Sequence, residues 1–447
     1  MPPENLPARA DNREDPPCYP SRLMENDNPD AQSGHAGRQG PLHTLRFPEF
    51  RLFWFGQIAQ AGGMMMFNFT LGWLAFELTG SSAKLAVIQL CSFAPQIALT
   101  LVGGVLADRF DARKLIGIAE TVSAITMFAL GALALLGLAE FWHLALAAFV
   151  IGATTSIDEP SRSTFFSRLL PDRSYLLAAV PLISMAWGGT RIVAPSIAGF
   201  VIATAGADAS FLSAACGITL LVGIMCIVKP VTAAAPPSHG DMIGNFRAGV
   251  QYVRQNEVFT KVILAALLNA CCAMGYVYML PVFAKEVLDV DARGLGILSS
   301  ASGLGSITGL LTFAWVQRHV SPRNIILTAL TLLNAALFSF SWSSSFWLSV
   351  SLLSLAGLSH SYFLTGSQVI LQTLVEDGFR GRVMAIFSLV WSMMVLSGFL
   401  LNLIASTTGP RWALSIGTVL VLCFVWAVLA RSGPLQRLSL LAKPTTA

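Results

Sequence analysis

Residues 103–114 of the 447-residue chain read GGVLADRFDARK and stand between two long apolar runs. The two glycines let helices approach each other closely and let the chain turn sharply. Asp108 is then followed by three bases, Arg109, Arg113 and Lys114. A short charged turn between charge-free runs predicts two membrane-spanning helices joined at the membrane surface.

Apolar runs recur along the whole chain. Hydrophobic residues make up 54% of it and charged residues 12%, with a mean hydropathy of +0.66, so it has about half the charge of a soluble domain. Since a span needs roughly 20 apolar residues, the runs predict an all-α membrane protein with twelve transmembrane helices in two pseudo-symmetric six-helix bundles. The runs are 52–76, 85–107, 121–139, 143–166, 175–204, 209–228, 262–284, 294–317, 324–375 (long enough for two spans), 383–410 and 412–430.

The runs fall into two similar halves. Shifting one half on the other by 210 residues puts Arg113 on Arg323, as expected of an internally duplicated membrane protein. In the join, Phe246, Val250 and Val253 have helical spacing, which predicts a short amphipathic helix at the membrane interface, with a plain hinge as the alternative. The predicted organisation is a disordered cytoplasmic tail (1–45), a first bundle (46–228), a cytoplasmic linker (229–257), a second bundle (258–431) and a C-terminal tail (432–447).

Placed on this topology, the net charge of +4 is a topology signal and not a nucleic-acid-binding surface. On the side of the membrane opposite the N-terminus, the only basic residues are Lys84, Lys285, Arg293 and Arg411. Because basic residues stay on the cytoplasmic side, we expect a multi-pass membrane protein with both termini cytoplasmic. The seven cysteines lack metal-ligand spacing, so no disulfide, metal or cofactor is expected.

The loop at residues 103–114 closely resembles the signature loop of the major facilitator superfamily, a family of secondary transporters. In that family the loop latches the two halves in the outward-facing state, which implies that Asp108 lies against the positive N-terminal end of a helix from the other half. Position 111 is commonly glycine there and is Asp here, and Asp also tolerates the left-handed conformation. The resemblance covers about residues 46–435.

A second segment, RGRVM at residues 380–384, is similar to one that recurs in one branch of the superfamily. It opens the eleventh predicted span on the cytoplasmic side, and this helix N-terminus is the expected receptor for Asp108. The conformational latch that the resemblance implies consists of Gly103, Gly104, Asp108, Arg109, Arg113, Lys114, Arg380 and Arg382.

The segment DEPSR at residues 158–162 lies at the inner end of the fourth predicted span. Asp158 and Arg162 are four residues apart and therefore share a helix face. The pattern resembles the branch that contains enterobactin-type siderophore exporters and macrolide efflux pumps. We expect Asp158, Glu159 and Arg162 to serve proton coupling or gating; a salt bridge that merely holds the spans together is the alternative.

The fifth predicted span contains Arg191, Pro195 and Gly199. Its Pro-x-x-x-Gly stretch is similar to one that marks antiporters in this superfamily, which favours export. A charged residue inside a span is functional by default, because leaving it unpaired costs several kcal/mol. We therefore predict a proton-coupling gate that alternately pairs and separates Arg191 and the Asp158/Glu159 pair, with Glu120 and Glu77 as the next candidate proton carriers. Snorkelling of Arg191 to a membrane interface is the alternative.

Polar residues inside other spans are candidates for a cargo cavity. Amide, aromatic and methionine side chains together suit bulky amphiphilic cargo, since thioethers repack around many shapes. Each of these residues alone could equally pack against neighbouring helices. The candidates are Gln57, Gln60, Asn68, Asn269, Tyr276, His360 and Gln368.

The chain contains neither a phosphate-binding Gly-x-x-x-x-Gly-Lys motif nor a catalytic triad pattern, so an enzyme is not expected. The resemblance implies a monomeric secondary transporter in the lipid bilayer of the bacterial inner membrane. It would export a small molecule, a siderophore or a drug-like amphiphile, in exchange for protons by alternating access. A proton-coupled uptake symporter of a metabolite on the same fold is the alternative. A non-transporting membrane receptor or scaffold is a third possibility from another class.

Overall fold

The computed structural model describes residues 41–171, 175–231 and 242–430, and every regular element in these residues is helical. A 3₁₀ turn, Pro41–Arg46, occupies the last part of the predicted disordered tail; residues 1–40 of that tail and the C-terminal tail lie outside the described residues. The helices are α1 (Pro48–Thr79), α2 (Ser82–Arg109), α3 (Ala112–Leu135), α4 (Phe141–Ser167), α5 (Leu176–Ile227), α6 (Met242–Gln255), α7 (Glu257–Cys272), α8 (Tyr276–Val282), α9 (Ala292–His319), α10 (Pro322–Trp342), α11 (Phe346–Leu374), α12 (Asp377–Thr408) and α13 (Pro410–Phe424), with π turns at Phe283–Val287 and Val425–Leu429.

Helix α5 is two spans joined at a break. Gly206 has φ 93° and ψ 168°, which interrupts the helix. The Trp54 indole of α1 donates to the Leu182 carbonyl at 2.8 Å, and Gly56, half a turn further along α1, faces Leu221. Both ends of α5 therefore lie beside the same end of α1. The first arm (176–205) and the second arm (207–227) are antiparallel.

Ten helical segments within the described residues are long and apolar enough to cross a membrane. One of them, Ala186–Ile227, contains both arms of α5, and another, Glu257–Val287, joins α7, α8 and the first π turn. Helix α1 is not among the ten, but its 32 residues reach about 48 Å and it packs along both arms of α5. Counting α1 and both arms gives the twelve passes that the sequence predicts, and the predicted fold class is confirmed.

We call the side where α1 begins the terminal face and the opposite side the distal face. With twelve passes the last span ends on the terminal face. Two contacts agree with this assignment. The Lys229 amide, just after α5, donates to Glu49 near the start of α1 at 2.9 Å, and Arg323 at the start of α10 donates to the Ala430 carbonyl at the end of the last span at 2.8 Å.

The two halves repeat one terminal-face anchor. Arg113 at the start of α3 donates to the carbonyls of Met225 and Cys226, both at 2.6 Å, where α5 ends. Arg323, 210 residues later, makes the equivalent bond where the last span ends. Arginine suits these positions because its positive charge is attracted by the negative C-terminal end of the helix dipole. The contacts support the 210-residue repeat read from the sequence.

Asp111 has a different conformation from the one expected. Its φ is −64°, and its carboxylate caps α3 by accepting from the Arg113 amide at 2.9 Å. This turn therefore does not need a residue in the left-handed conformation. It needs a side chain that can accept a hydrogen bond at the start of α3. Ser321, also 210 residues later, caps α10 by accepting from the Asn324 amide at 3.4 Å, so the cap is part of the repeat.

The described part of the predicted linker contains helix α6, which packs on the start of α12. The Tyr252 and Phe379 rings stack with centroids 4.3 Å apart, and Gly249 faces the Arg382 side chain. Of the three apolar residues that predicted this helix, Val253 is buried and Phe246 is exposed. An exposed apolar side chain suits the membrane interface, although the packing on α12 also suits a hinge.

Replacing Arg113 or Arg323 by Gln should lower the stability of the purified protein by about 1 kcal/mol each, because the charge at a helix C-terminus is lost. The midpoint of unfolding in detergent, followed by tryptophan fluorescence, measures this. Lys114→Gln and Arg318→Gln remove exposed charges at the same loops and serve as matched controls. Equal losses in the test and control variants would contradict the anchoring role.

Candidate functional site

Arg162 is the centre of a charge cluster in the terminal half of the first bundle. Its guanidinium forms ion pairs with Glu120 of α3, at 2.5 Å, and with Asp158 of α4. It also donates to the Gln60 amide oxygen of α1 at 2.6 Å. We call Glu120, Asp158 and Arg162 the charge cluster. It joins three helices through one side chain.

Local helix geometry positions the three charges. Asp158 and Arg162 are one turn apart on α4, as their spacing predicts. Glu120 lies eight residues after the start of α3, which is about 12 Å along the helix. Helices α3 and α4 are also joined by a 2.8 Å hydrogen bond between the Ser123 and Thr154 hydroxyls. The cluster therefore lies well inside the apolar spans.

The charge cluster is buried and its charges do not balance. The exposed fraction is 2% for Glu120 and 7% for Asp158, and 11% for the Arg162 side chain. Two carboxylates face one guanidinium, so the ionised cluster has one negative charge in excess. The second carboxylate oxygens, Glu120 Oε2 and Asp158 Oδ1, accept no hydrogen bond from the described residues. Uptake of one proton by either carboxylate neutralises the cluster. The neutral state is favoured because an unbalanced buried charge is costly.

A cavity of about 310 Å³ adjoins the cluster, and we call it the first cavity. It lies between α1, α3, α4 and the first arm of α5. Gln57 and Gln60, which the sequence predicts as cargo contacts, line it, as does Glu159, whose side chain is exposed. Its other lining residues include Phe53, Met64, Ser123, Thr154, Phe166 and Trp187. An acidic cavity thus opens within the first half of the protein.

A second cavity, of about 270 Å³, lies between the two halves. Its lining includes Asn68, one of the predicted cargo contacts, and Arg191. Helices of both halves contribute to it: α1, α2 and α5 from the first, and α8, α9 and α12 from the second. The remaining lining residues are mainly apolar, aromatic or neutral and polar, among them Met65, Phe69, Gln89, Pro195, Tyr278, Ser302, Trp391 and Met394.

The expected pairing of Arg191 with Asp158 is not formed in this structure. Asp158 pairs with Arg162, and Arg191 lies on the second cavity, midway between the start of α5 and Gly206. Successive helical residues point in different directions, and the sequence does not fix how α5 is rotated in the bundle. Tyr278 and Ser302, from the other half, line the same cavity as Arg191.

The other predicted cargo contacts have separate surroundings. The Tyr276 hydroxyl bonds to Ser302 at 2.7 Å, and Ser302 lines the second cavity. Both ring nitrogens of His360 lack a hydrogen-bond partner among the described residues. Asn269 is buried and accepts from Asn334 at 3.1 Å, inside the second bundle. Gln368 is half-buried and lines neither of the two cavities.

The two halves are joined near the distal face. Gly199 of α5 packs against the backbone of Ala292 and Gly296 in α9, and the Ser196 and Ser300 hydroxyls bond at 2.6 Å. Pro195 and Gly199, the predicted antiporter residues, thus permit close contact between the halves, because a glycine lets two backbones approach. Further along the same face, Lys285 pairs with Glu77 at 3.6 Å and lies 4.4 Å from the Trp73 ring.

The contact between these two helices continues to Gly303 of α9, where an added Cβ would meet Ile192 of α5. A Cβ added at Gly188 or Gly189, on the terminal half of the first arm of α5, would meet no described atom within 4 Å. On α9, Gly305 and Gly309 face α11 instead of α5. Among the described residues, the contacts between α5 and α9 therefore run from Gly199 to Ile192 and close the structure along these helices on its distal side.

The predicted latch residues divide into several groups. Gly103 packs closely on the Ser156 backbone, whereas Gly104 has open space around it. Arg113 anchors its own half, and Arg382 lies 5.2 Å from the Phe379 ring. The remaining residues are Arg109, Lys114 and Arg380, which are exposed, and Asp108, whose side chain lies outside the described residues.

A model of the transmembrane secretion effector family matches residues 39–438. The chain belongs to this family, whose members are major facilitator superfamily transporters and not enzymes. Its relatives include the staphyloferrin A transporter of Staphylococcus aureus, 22% identical over 83% of this chain and 90% of the relative. Macrolide efflux protein A of Streptococcus pyogenes is 22% identical over 83% and 93%, and enterobactin exporter EntS of Escherichia coli O1:K1 / APEC is 24% identical over 63% and 67%. The resemblance read from the sequence is confirmed.

The fold is also that of solved transporters. The crystal structure of a bacterial homologue of the human lysosomal transporter Spinster, in an inward-facing and unoccupied conformation, superposes with a TM-score of 0.68. It is 14% identical and covers 89% of this chain and 98% of its own. At that identity the likeness establishes the major facilitator fold.

Cysteines placed at Ser196 and Ser300, in a protein without its native cysteines, should cross-link on oxidation, because the two hydroxyls are in contact. The cross-link should stop transport until it is reduced, since it holds the distal face closed. Mass spectrometry of the linked peptides and a transport assay measure the two effects.

The matched control pairs Ser196→Cys with Ser306→Cys, six residues and about 9 Å further along α9. Cross-linking no faster than in this control would contradict distal closure. Full transport by the cross-linked protein would contradict a need for the distal face to open.

Proposed function

We propose that this protein exports a small molecule, a siderophore or a drug-like amphiphile, from the cytoplasm in exchange for protons. The observation that carries the proposal is the buried charge cluster, which has one negative charge in excess beside a cavity in the terminal half. The named activities of the relatives, siderophore transport and drug efflux, support the cargo class. The antiporter-type Pro195 and Gly199 support the direction.

The terminal face is proposed to be cytoplasmic. The distribution of basic residues supports this orientation, because Lys84, Lys285, Arg293 and Arg411 are the only ones on the distal side of the predicted topology. The distal closure along α5 and α9 then corresponds to a state open to the cytoplasm. Alternating access would proceed by rocking of the two halves about the second cavity.

Proton coupling is assigned to the charge cluster. When the first cavity is open to water, Glu120 or Asp158 exchanges a proton with the solvent, and Arg162 stabilises the carboxylate that remains ionised. Protonation removes the excess charge, so the neutral cluster can be sealed from water at lower cost. Glu159, at the edge of the same cavity, is placed to pass protons between cluster and solvent.

Asp108 is proposed as the latch of the opposite, outward-facing state. Helix α2 packs against α12, and Asp108 lies in the last turn of α2. The start of α12, with Arg380 and Arg382, is the region to which α6 is attached through Tyr252 and Phe379. A latch at this point would therefore also position the segment that connects the halves.

The cargo is found first by comparing a deletion strain with its parent for siderophore secretion and for survival against a panel of drugs. With that cargo in proteoliposomes, Asp158→Asn and Glu120→Gln should each abolish proton-driven accumulation but retain cargo exchange. One proton moving down 100 mV gains about 2.3 kcal/mol, which supports about a 50-fold gradient. In the variants this gradient should fall to about one.

Glu286→Gln, which neutralises an exposed carboxylate near the distal face, is the matched control and should keep the gradient. If both cluster variants still accumulate cargo with the wild-type pH dependence, the proton carrier lies elsewhere. Accumulation in the direction of uptake would favour the symporter instead.

A further inference from the structure

The second cavity contains a basic side chain in the middle of a span and no acidic one. Arg191 is the charged residue among its described lining residues, and none of those residues is Asp or Glu. Within the described part of the chain, Arg191 forms no hydrogen bond or ion pair. A charge at this depth is expensive without a partner, so the cavity suits a partner that comes from outside the chain.

The surroundings of Arg191 add the features of a binding site. It shares the lining of this cavity with Tyr278, Leu295 and Ser302 of the other half, so it lies where the two halves meet. The same cavity presents the Trp391 ring and the Met65 and Met394 thioethers. Aromatic rings and thioethers bind apolar bodies of varied shape. The cavity thus combines one cationic fork with an adaptable apolar wall.

On the export function proposed above, we propose that Arg191 binds a carboxylate of the cargo, which is therefore an organic anion with an apolar or aromatic body. The guanidinium offers five N–H donors in a planar fork that matches the two oxygens of a carboxylate. The amide groups of Asn68 and Gln89 are on the same lining and can bond neutral polar parts of the cargo.

The two cavities have opposite net charge, negative in the first and positive in the second. They would therefore attract ligands of opposite sign. The first cavity contains Glu120, Asp158 and Glu159 against Arg162, and an organic anion would be repelled from it. A cation would favour the first cavity and be repelled from the second. The rival explanation for Arg191 is that it pairs with Asp158 or Glu159 in another conformation, in which case it would not discriminate between cargo headgroups.

The test uses three probes with the same aromatic body and different headgroups: 1-naphthaleneacetate (a carboxylate, called the acetate below), 1-naphthaleneacetamide and 2-(1-naphthyl)ethylammonium. Binding of each to the full-length protein in nanodiscs is measured by calorimetry at neutral pH. We expect 1-naphthaleneacetate to bind about tenfold more tightly than the amide, because its carboxylate makes charge-assisted hydrogen bonds. The ammonium compound should bind more weakly than either. This headgroup series needs no variant protein.

Arg191→Gln should bind the acetate and the amide with equal affinity, and Arg191→Lys should keep a reduced preference for the acetate, because it keeps the charge but loses the fork. Arg293→Gln, an exposed arginine near the distal face, is the matched control and should bind like the wild type. Equal binding of acetate and amide by the wild type, absence of acetate binding up to millimolar concentration, or an undiminished preference in Arg191→Gln would each overturn the proposal.

The same measurement separates this inference from the proposed function. Asp158→Asn should keep the wild-type preference for the acetate, because the charge cluster is not part of the second cavity. If proton-driven export fails while the headgroup preference and its dependence on Arg191 hold, the transport mechanism is wrong and the binding site stands. If Asp158→Asn and Arg191→Gln lose the preference alike, Arg191 does not bind the carboxylate independently of the charge cluster, and the proposed binding site is wrong.

Discussion

Arg162 holds two carboxylates, Glu120 and Asp158, inside a bundle of apolar helices, and the rest of the proposed mechanism depends on this arrangement. Removing three charges from water costs several kcal/mol per ion, and only close pairing recovers that cost. Since the pairing leaves one negative charge in excess, the cluster is balanced in its protonated form. The apolar helices α1, α3 and α4 surround the cluster. Because they exclude water, the protonated cluster is more stable there than the ionised one.

The two cavities show how a proton site and a cargo site can be separate and still coupled. The first arm of α5 lines both cavities, through Trp187 on the first and Arg191 and Pro195 on the second. It also makes the distal contact with α9 at Gly199. A movement of this helix would change the volume of both cavities and the closure of the distal face together. Coupling then requires two states of one helix.

The sequence predicted what depends on spacing along one helix or on composition. The apolar runs gave the twelve passes, and the four-residue spacing of Asp158 and Arg162 gave their ion pair. It did not predict contacts between helices: Glu120 appeared only as a secondary candidate, although its position directly before the apolar run 121–139 indicated a carboxylate at the edge of a span. The predicted pair of Arg191 and Asp158 is not formed in this structure, since helix rotation decides which cavity a side chain lines. Asn269 pairs with Asn334, a contact between distant helices that no local pattern indicates.

The central claim is that the charge cluster takes up and releases the coupled proton. Infrared difference spectroscopy of the purified protein between acidic and alkaline buffer observes the carbonyl band of a buried protonated carboxyl directly. If the charge cluster carries the proton, the wild type shows such a band, Glu120→Gln and Asp158→Asn each change or lose it, and Glu286→Gln leaves it unchanged. A band that persists unaltered in both cluster variants, or no buried carboxyl band in the wild type, would contradict this claim.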